Sequence, residues 1–320
     1  MDNLSYLEIE SSDKKVSVLS IPLDIGSDNS DMADAPKYLL KLGLEQLLKS
    51  AGLDVEILSE VAASRKSFWK SNKTKDDNLG DISKIISDIK KVVKEKISEK
   101  NNIVAIGGDH AIAIGTIAGA AEALNGDLGV IWIDVHGDAN THENSITGNI
   151  HGMVSAAILG KGKKDLTDLI GTKIKKENIL YIGLKDLDQA EIDFLREEKI
   201  TVVTMMDILE NGFSAITSNI KLLSQKVTNI WVSMDVDAID VDYAPASAMA
   251  SSGGLSYREI TNTLNYIGKN CNVAGIDIVE LTPKKDVDGK TGKLCIELIA
   301  LAFGTKCDWY NSEYISKYKK

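Results

Sequence analysis

Proline and cysteine are scarce in this 320-residue chain, and each scarcity removes a class of protein. Four prolines are too few for a Pro-rich linker. The three cysteines, Cys271, Cys295 and Cys307, are odd in number and none sits in a C-x-x-C pair. Neither a disulfide framework nor a structural zinc site is expected, and a reducing cytoplasm is the expected compartment. No stretch approaches the roughly 18–20 apolar residues that span a bilayer, so no membrane partner is expected. The first residues, Met1-Asp2-Asn3-Leu4, lack the basic then apolar order of a signal peptide. Positive charge is also short: Lys and Arg total 37 against 47 Asp and Glu, a net charge of −10. Such a surface is a poor grip for a polyanion, so no nucleic-acid partner is expected. There is no internal repeat, P-loop or G-x-G-x-x-G fingerprint.

What remains is an ordinary globular composition, 43% hydrophobic and 26% charged. β-branched runs at 16–22, 55–58, 103–107, 129–134, 179–184, 200–205, 230–235 and 273–280 read as strands. Helical patterns at 36–49, 82–97, 111–124, 152–159, 189–198, 214–225, 257–267 and 294–303 lie between them. The strand runs are almost continuously apolar, as in Val130-Ile131-Trp132-Ile133, which marks strands buried on both faces. The expectation is α/β: a single three-layer domain over 1–320 with a central, mostly parallel sheet of about eight strands. A polar stretch at 59–80 reads as an exposed insertion, and 310–320 as a solvated tail.

Ligands in open α/β sheets bind beyond the carboxyl ends of the strands. Three such ends concentrate acids and imidazoles: Gly107-Gly108-Asp109-His110, Asp134-Val135-His136-Gly137-Asp138, and Met234-Asp235-Val236-Asp237. One aspartate after a strand is most often a helix cap. Three clusters at once are harder to explain that way. Spacing of two in an extended segment points side chains the same way. Carboxylates gathered there would repel one another without a cation. Mixed oxygen and imidazole donors suit a divalent first-row metal such as manganese, and the donors suffice for two ions. All four histidines fall between His110 and His151; His142 follows no strand and reads as a surface residue.

These three motifs together resemble the ureohydrolase family, the arginases and agmatinases, over about 16–303. The resemblance implies a single α/β domain around an eight-stranded parallel sheet and a binuclear manganese centre, two Mn2+ per subunit. By position, His110, Asp134, Asp138 and Asp235 would hold one ion. Asp134, His136, Asp235 and Asp237 would hold the other. The stretch 138–153 resembles the arginase pattern more than the agmatinase one. It would offer Asn140, Ser145, Thr147 and Asn149 to a substrate α-carboxylate. Asp188, with Glu191 beside it, would take the α-amino group, although Asp188 can equally cap the next helix. Glu280 would pair with the guanidinium. The implied reaction converts L-arginine to L-ornithine and urea through a metal-bridging hydroxide, with Asp138 passing a proton to the leaving amine and His151 shuttling protons. The alternatives are another guanidino substrate (agmatine, guanidinobutyrate or guanidine) or a non-catalytic relative. The retained pair Arg258-Glu259 implies a homotrimer or homohexamer.

Three segments depart from the family pattern. The loop 27–36 lacks the usual glycines and basic residues. Residues 246–252, Ala-Ser-Ala-Met-Ala-Ser-Ser, replace a Gly- and Pro-containing loop. Ala111 follows His110 where serine is common. No expected metal ligand is lost.

Overall fold

The computed structural model describes residues 14–27, 31–61 and 75–305. Its eight strands are β1 (Lys15–Ile21), β2 (Asp54–Ile57), β3 (Asn102–Gly107), β4 (Leu128–Ile133), β5 (Ile179–Leu184), β6 (Thr201–Thr204), β7 (Asn229–Asp235) and β8 (Asn272–Val279). They form one sheet in the order β2-β1-β3-β8-β7-β4-β5-β6. Every pairing in it is parallel. The helices are α1 (Ala35–Lys41), α2 (Leu44–Ser50), α3 (Lys75–Ser98), α4 (Ile112–Ala123), α5 (Val154–Ile158), α6 (Lys164–Thr167), α7 (Gln189–Glu198), α8 (Met205–Asn211), α9 (Phe213–Ser224), α10 (Tyr257–Asn270) and α11 (Lys290–Ala302).

Two cores flank the sheet, as the pleat requires. Val104 and Ile106 of β3 face one core with Leu39 of α1, Ile220 of α9 and Leu264 of α10. Ile103 and Ala105 face the other with Ile86 of α3 and Ile117 of α4. Successive residues of each central strand therefore feed opposite layers, and this is why the sequence shows runs instead of alternation. The short strands β2 and β6 form the edges, where unpaired backbone is best limited.

The expected elements are present with differences at their boundaries. The helix expected over 36–49 is two, because Gly43 takes φ 104° and interrupts the chain between α1 and α2. The strand expected over 200–205 ends at Thr204, whose side chain opens α8 through a capping box with Asp207. The polar stretch at 59–80 gives its end to α3, which reaches back to Lys75. The rest of that stretch from 62 to 74, and the tail at 310–320, lie outside the described residues. Among the described residues no helix is long and apolar enough to cross a membrane.

The sheet order decides where chemistry can gather. β3, β8, β7 and β4 are adjacent, with β5 next. The motifs ending β3, β7 and β4, and Glu280 ending β8, therefore meet along one edge although up to 170 residues separate them.

Candidate active site

Each strand end is shaped by its own local bonds. After β3, Gly108 passes so close to the preceding loop that a Cβ on it would lie 1.8 Å from the Leu23 carbonyl oxygen. Only glycine fits there. Asp109 is fully buried and accepts the backbone N–H of Gly26 at 2.8 Å and of Ala111 at 3.0 Å. It fastens the turn that presents His110. After β4 and β7 one device recurs. Asp134 accepts the N–H of His136 at 2.7 Å, and Asp235 accepts that of Asp237 at 2.8 Å. The residues spaced two apart converge through these side-chain turns and not through an extended segment, as the sequence reading had it.

The result is a compact buried cluster. His110 Nδ1 lies 3.0 Å from Asp138, 3.4 Å from Asp134 and 3.4 Å from Asp235. His136 Nδ1 lies 3.5 Å from Asp134 and 3.3 Å from Asp237. One ligand atom from each of His110, Asp134 and Asp138 falls within 4.8 Å of the others, and likewise for Asp134, His136 and Asp237. Asp134 belongs to both groups and stands between them.

The electrostatics ask for a cation. Burial raises Asp235 well above the carboxylate range, and neighbouring Asp237 adds to this. Burial, reinforced by Asp134, pushes Asp237 up to about 7. Burial would raise Asp134 too, but the two imidazoles hold it below its usual value. Four buried acids in one cluster do not share two imidazoles comfortably. His110 Nδ1 and Asp237 Oδ1 are buried and make no hydrogen bond of acceptable geometry. A lone pair surrounded by carboxylates at 3.0–3.4 Å is placed as a ligand atom, and divalent ions fit this donor set.

The His110 ring is held from behind by residues that the sequence reading did not single out. It stacks on Trp132, centroids 4.3 Å apart and planes 15° from parallel. Its Nε2 lies 2.9 Å from Ser233 Oγ, which in turn donates to Asp277 Oδ2 at 3.3 Å. Asp277 Oδ2 also accepts from Trp231 Nε1 at 2.8 Å and Thr116 Oγ1 at 3.0 Å. With Ser233 donating to Asp277, its oxygen accepts the Nε2 proton, and this network assigns the Nδ1 lone pair to the cluster. Trp231 has room because its facing residue, Gly275, lacks a Cβ, which would meet the indole at 2.3 Å.

Glu280 and His151 lie against this cluster. Glu280 takes φ 64°, a left-handed conformation rare for a non-glycine residue. Its Oε1 accepts the backbone N–H of His110 at 3.0 Å and lies 3.0 Å from His151 Nδ1. Its buried Oε2 has no hydrogen-bond partner. Burial pulls His151 down, but Glu280 outweighs it and pushes the imidazole up to about 9. Asp138 also has a positive φ of 47°. Asn140 Nδ2 donates to Asp188 Oδ2 at 2.8 Å, joining the loop after β4 to the loop after β5. Asp188 caps α7 in a reciprocal box with Glu191. Glu191 is nearly buried, and its two oxygens accept from Asp188 N and Ala139 N. Ser145 Oγ accepts from Gly148 N and Thr147 Oγ1 from Asn149 N, so these hydroxyls also shape their own loop. His142 lies on the exposed part of that loop, as expected.

Comparison with known proteins agrees with this geometry. The Arginase family model matches residues 14–304. The chain is 33% identical to the arginase of Bacillus subtilis over 299 residues, 92% of this chain and 99% of that protein. It is 32% identical to an arginase of Staphylococcus aureus, covering 91% and 97%. The crystal structure of Bacillus caldovelox arginase superposes with a TM-score of 0.87 at 31% identity, covering 92% of this chain and 99% of that one. The parallel sheet, the strand-end donors and the match along nearly the whole length lead to one conclusion: the chain belongs to the arginase family.

Proposed function

We propose that this chain is a manganese-dependent arginase that hydrolyses L-arginine to L-ornithine and urea at a site for two ions. The observation that carries the reading is Asp134, shared between two histidine-carboxylate groups at the end of β4. His110, Asp134, Asp138 and Asp235 would hold one ion, and Asp134, His136, Asp235 and Asp237 the other. Bound there, divalent ions lower the pKa of water and so supply a nucleophile at neutral pH.

The chain's own groups do the rest. Glu280 offers Oε2 to the guanidinium while Oε1 is anchored by the His110 N–H. A planar cation paired with a carboxylate is held in a fixed orientation for attack. Asp138 hands a proton to the leaving amine. His151, hydrogen-bonded to Glu280, exchanges protons with solvent. The amide of Asn140, with Ser145, Thr147 and Asn149, would receive the substrate α-carboxylate. Asp188 would receive the α-amino group, and Glu191 would act through Asp188, since its oxygens are engaged with backbone. The Asn140–Asp188 bond brings these two readers of an amino-acid head together, and it favours arginine over guanidino compounds without that head. Assembly as a homotrimer or homohexamer in the cytoplasm completes the proposal. Arg258 is exposed for such a contact, whereas Glu259 is engaged in the capping box of α10.

The test is urea release from a panel of guanidino compounds after manganese loading. Arginine is expected to be the preferred substrate. Faster turnover of agmatine rejects the substrate assignment and keeps the chemistry; no urea from any compound rejects both.

A further inference from the structure

The segment 246–252, which lacks the glycine and proline of its family counterpart, needs another source of shape. The structure shows two lysines supplying it. Lys285 Nζ donates to the carbonyl oxygens of Ser247 at 3.1 Å and Ala248 at 3.3 Å. At the far end, Lys185 Nζ donates to Ser251 Oγ at 2.8 Å and to the Ser252 carbonyl at 3.0 Å.

The strip held by Lys285 is the one that touches Glu280. Ala248 N–H donates to the Glu280 carbonyl at 3.1 Å, and Thr282 N–H donates to the Ala246 carbonyl at 2.8 Å. Between these two bonds Ser247 and Leu281 form an antiparallel bridge. The Ala246 N–H is itself tied to Thr291 Oγ1 at 3.1 Å. On its other side, the Glu280 N–H donates to the Gly108 carbonyl at 2.8 Å. Glu280 thus sits in its left-handed conformation because backbone on both sides fixes it, and strain of this kind persists only where the surroundings over-determine it. Lys285 closes the circuit. It lies in the 3-10 turn (Pro283–Lys285) just after Glu280 and reaches back to the carbonyls of Ser247 and Ala248, on either side of the bond that Ala248 N–H makes to Glu280.

We propose that Lys285 is a positioning residue for Glu280, acting through the 246–248 strip and replacing the turn chemistry lost from that loop. The inference rests on the reading of Glu280 as the guanidinium partner. Lysine amines bonded to backbone carbonyls form charge-assisted hydrogen bonds, stronger than neutral ones, and two of them are lost together on substitution.

The test compares Lys285→Met and Lys285→Arg with the parent in manganese-loaded protein. Lys285→Met is expected to raise KM for arginine about five- to ten-fold. Its kcat and manganese content should stay close to those of the parent. Lys285→Arg, which can still donate to both carbonyls, is expected to restore KM. Independently of turnover, amide hydrogen exchange in the peptides containing Ala248 and Thr282 should accelerate in Lys285→Met and return in Lys285→Arg. Unchanged exchange and KM in Lys285→Met overturns the proposal, and so does an arginine variant that behaves like the methionine one. A Glu280→Gln variant is measured alongside. If Glu280→Gln leaves KM unchanged while Lys285→Met still loosens the strip, the assignment of Glu280 has failed and the brace has not.

Discussion

At the scale of single residues, the unexpected feature is how much of the site is spent on holding ligands and how little is ligand. His110 offers one lone pair, yet Trp132, Ser233, Asp277, Trp231 and Thr116 are all arranged behind it. Asp277 is fully buried and is the acceptor on which this network ends. An Asp277→Asn change keeps the shape but can turn a donor toward Ser233, which releases the Nε2 proton constraint on His110. Outer partners of metal-binding histidines typically govern affinity by about 10–100-fold. Asp277→Asn is therefore expected to weaken manganese binding by about that factor, as measured by equilibrium dialysis, with little loss of folded structure. Affinity equal to that of the parent would show that the network is packing alone.

At the scale of elements, strand ends carry the donors and the side-chain turns that follow them fix them. The clusters at 107–110, 134–138 and 235–237 were legible in sequence because acids and imidazoles follow apolar runs. Their partners behind the ring were not. Ser233 and Asp277 sit inside strands, where a small polar residue in a buried run has no local signature and only the β7–β8 register pairs them. Helix α8 was missed although Thr204 and Asp207 carry the capping-box spacing, because the β-branched run before it continued the strand pattern. The split between α1 and α2 was hidden for the opposite reason: the apolar residues on both sides keep a helical rhythm across Gly43. Asp188 illustrates two roles at one helix start. Its carboxylate caps α7 and also receives the Asn140 amide. Asparagine caps as well as aspartate, whereas alanine costs about 1 kcal/mol of stability. Asp188→Asn is expected to raise KM for arginine without lowering the melting temperature; Asp188→Ala is expected to do both. Equal melting temperatures for the two variants would argue against the cap.

At the scale of the whole molecule, the −10 chain buries a cluster of acids at the carboxyl ends of its strands, and this links stability to pH and metal. Burial pushes Asp109, Asp237 and Glu191 each up to about 7 and Asp277 up to about 6. His151, lowered by burial but raised more by Glu280, reaches about 9 against an ordinary 6.5. Each of these groups keeps its proton in the fold at a pH where the unfolded chain has lost it. Their contribution is present in acid and is lost as pH rises from about 4 towards 9. Asp134, held low by His110 and His136, acts in the opposite sense, but its contribution is lost only below its ordinary 3.8. The metal-free protein is therefore expected to melt at progressively lower temperature between about pH 5.5 and pH 8.5. With manganese, which replaces the protons, the slope should vanish or reverse. Calorimetry with and without the ion reads both slopes, and a metal-free protein that gains stability over this range contradicts the account.

The central claim is that Asp134 ties two metal groups into one centre. The direct measurement is the number of manganese ions bound per chain, by elemental analysis after dialysis, in the parent and in Asp134→Asn. The account predicts two ions in the parent and loss of both in the variant, because each group loses the same carboxylate. A parent that saturates at one ion, or a variant that keeps two, contradicts it.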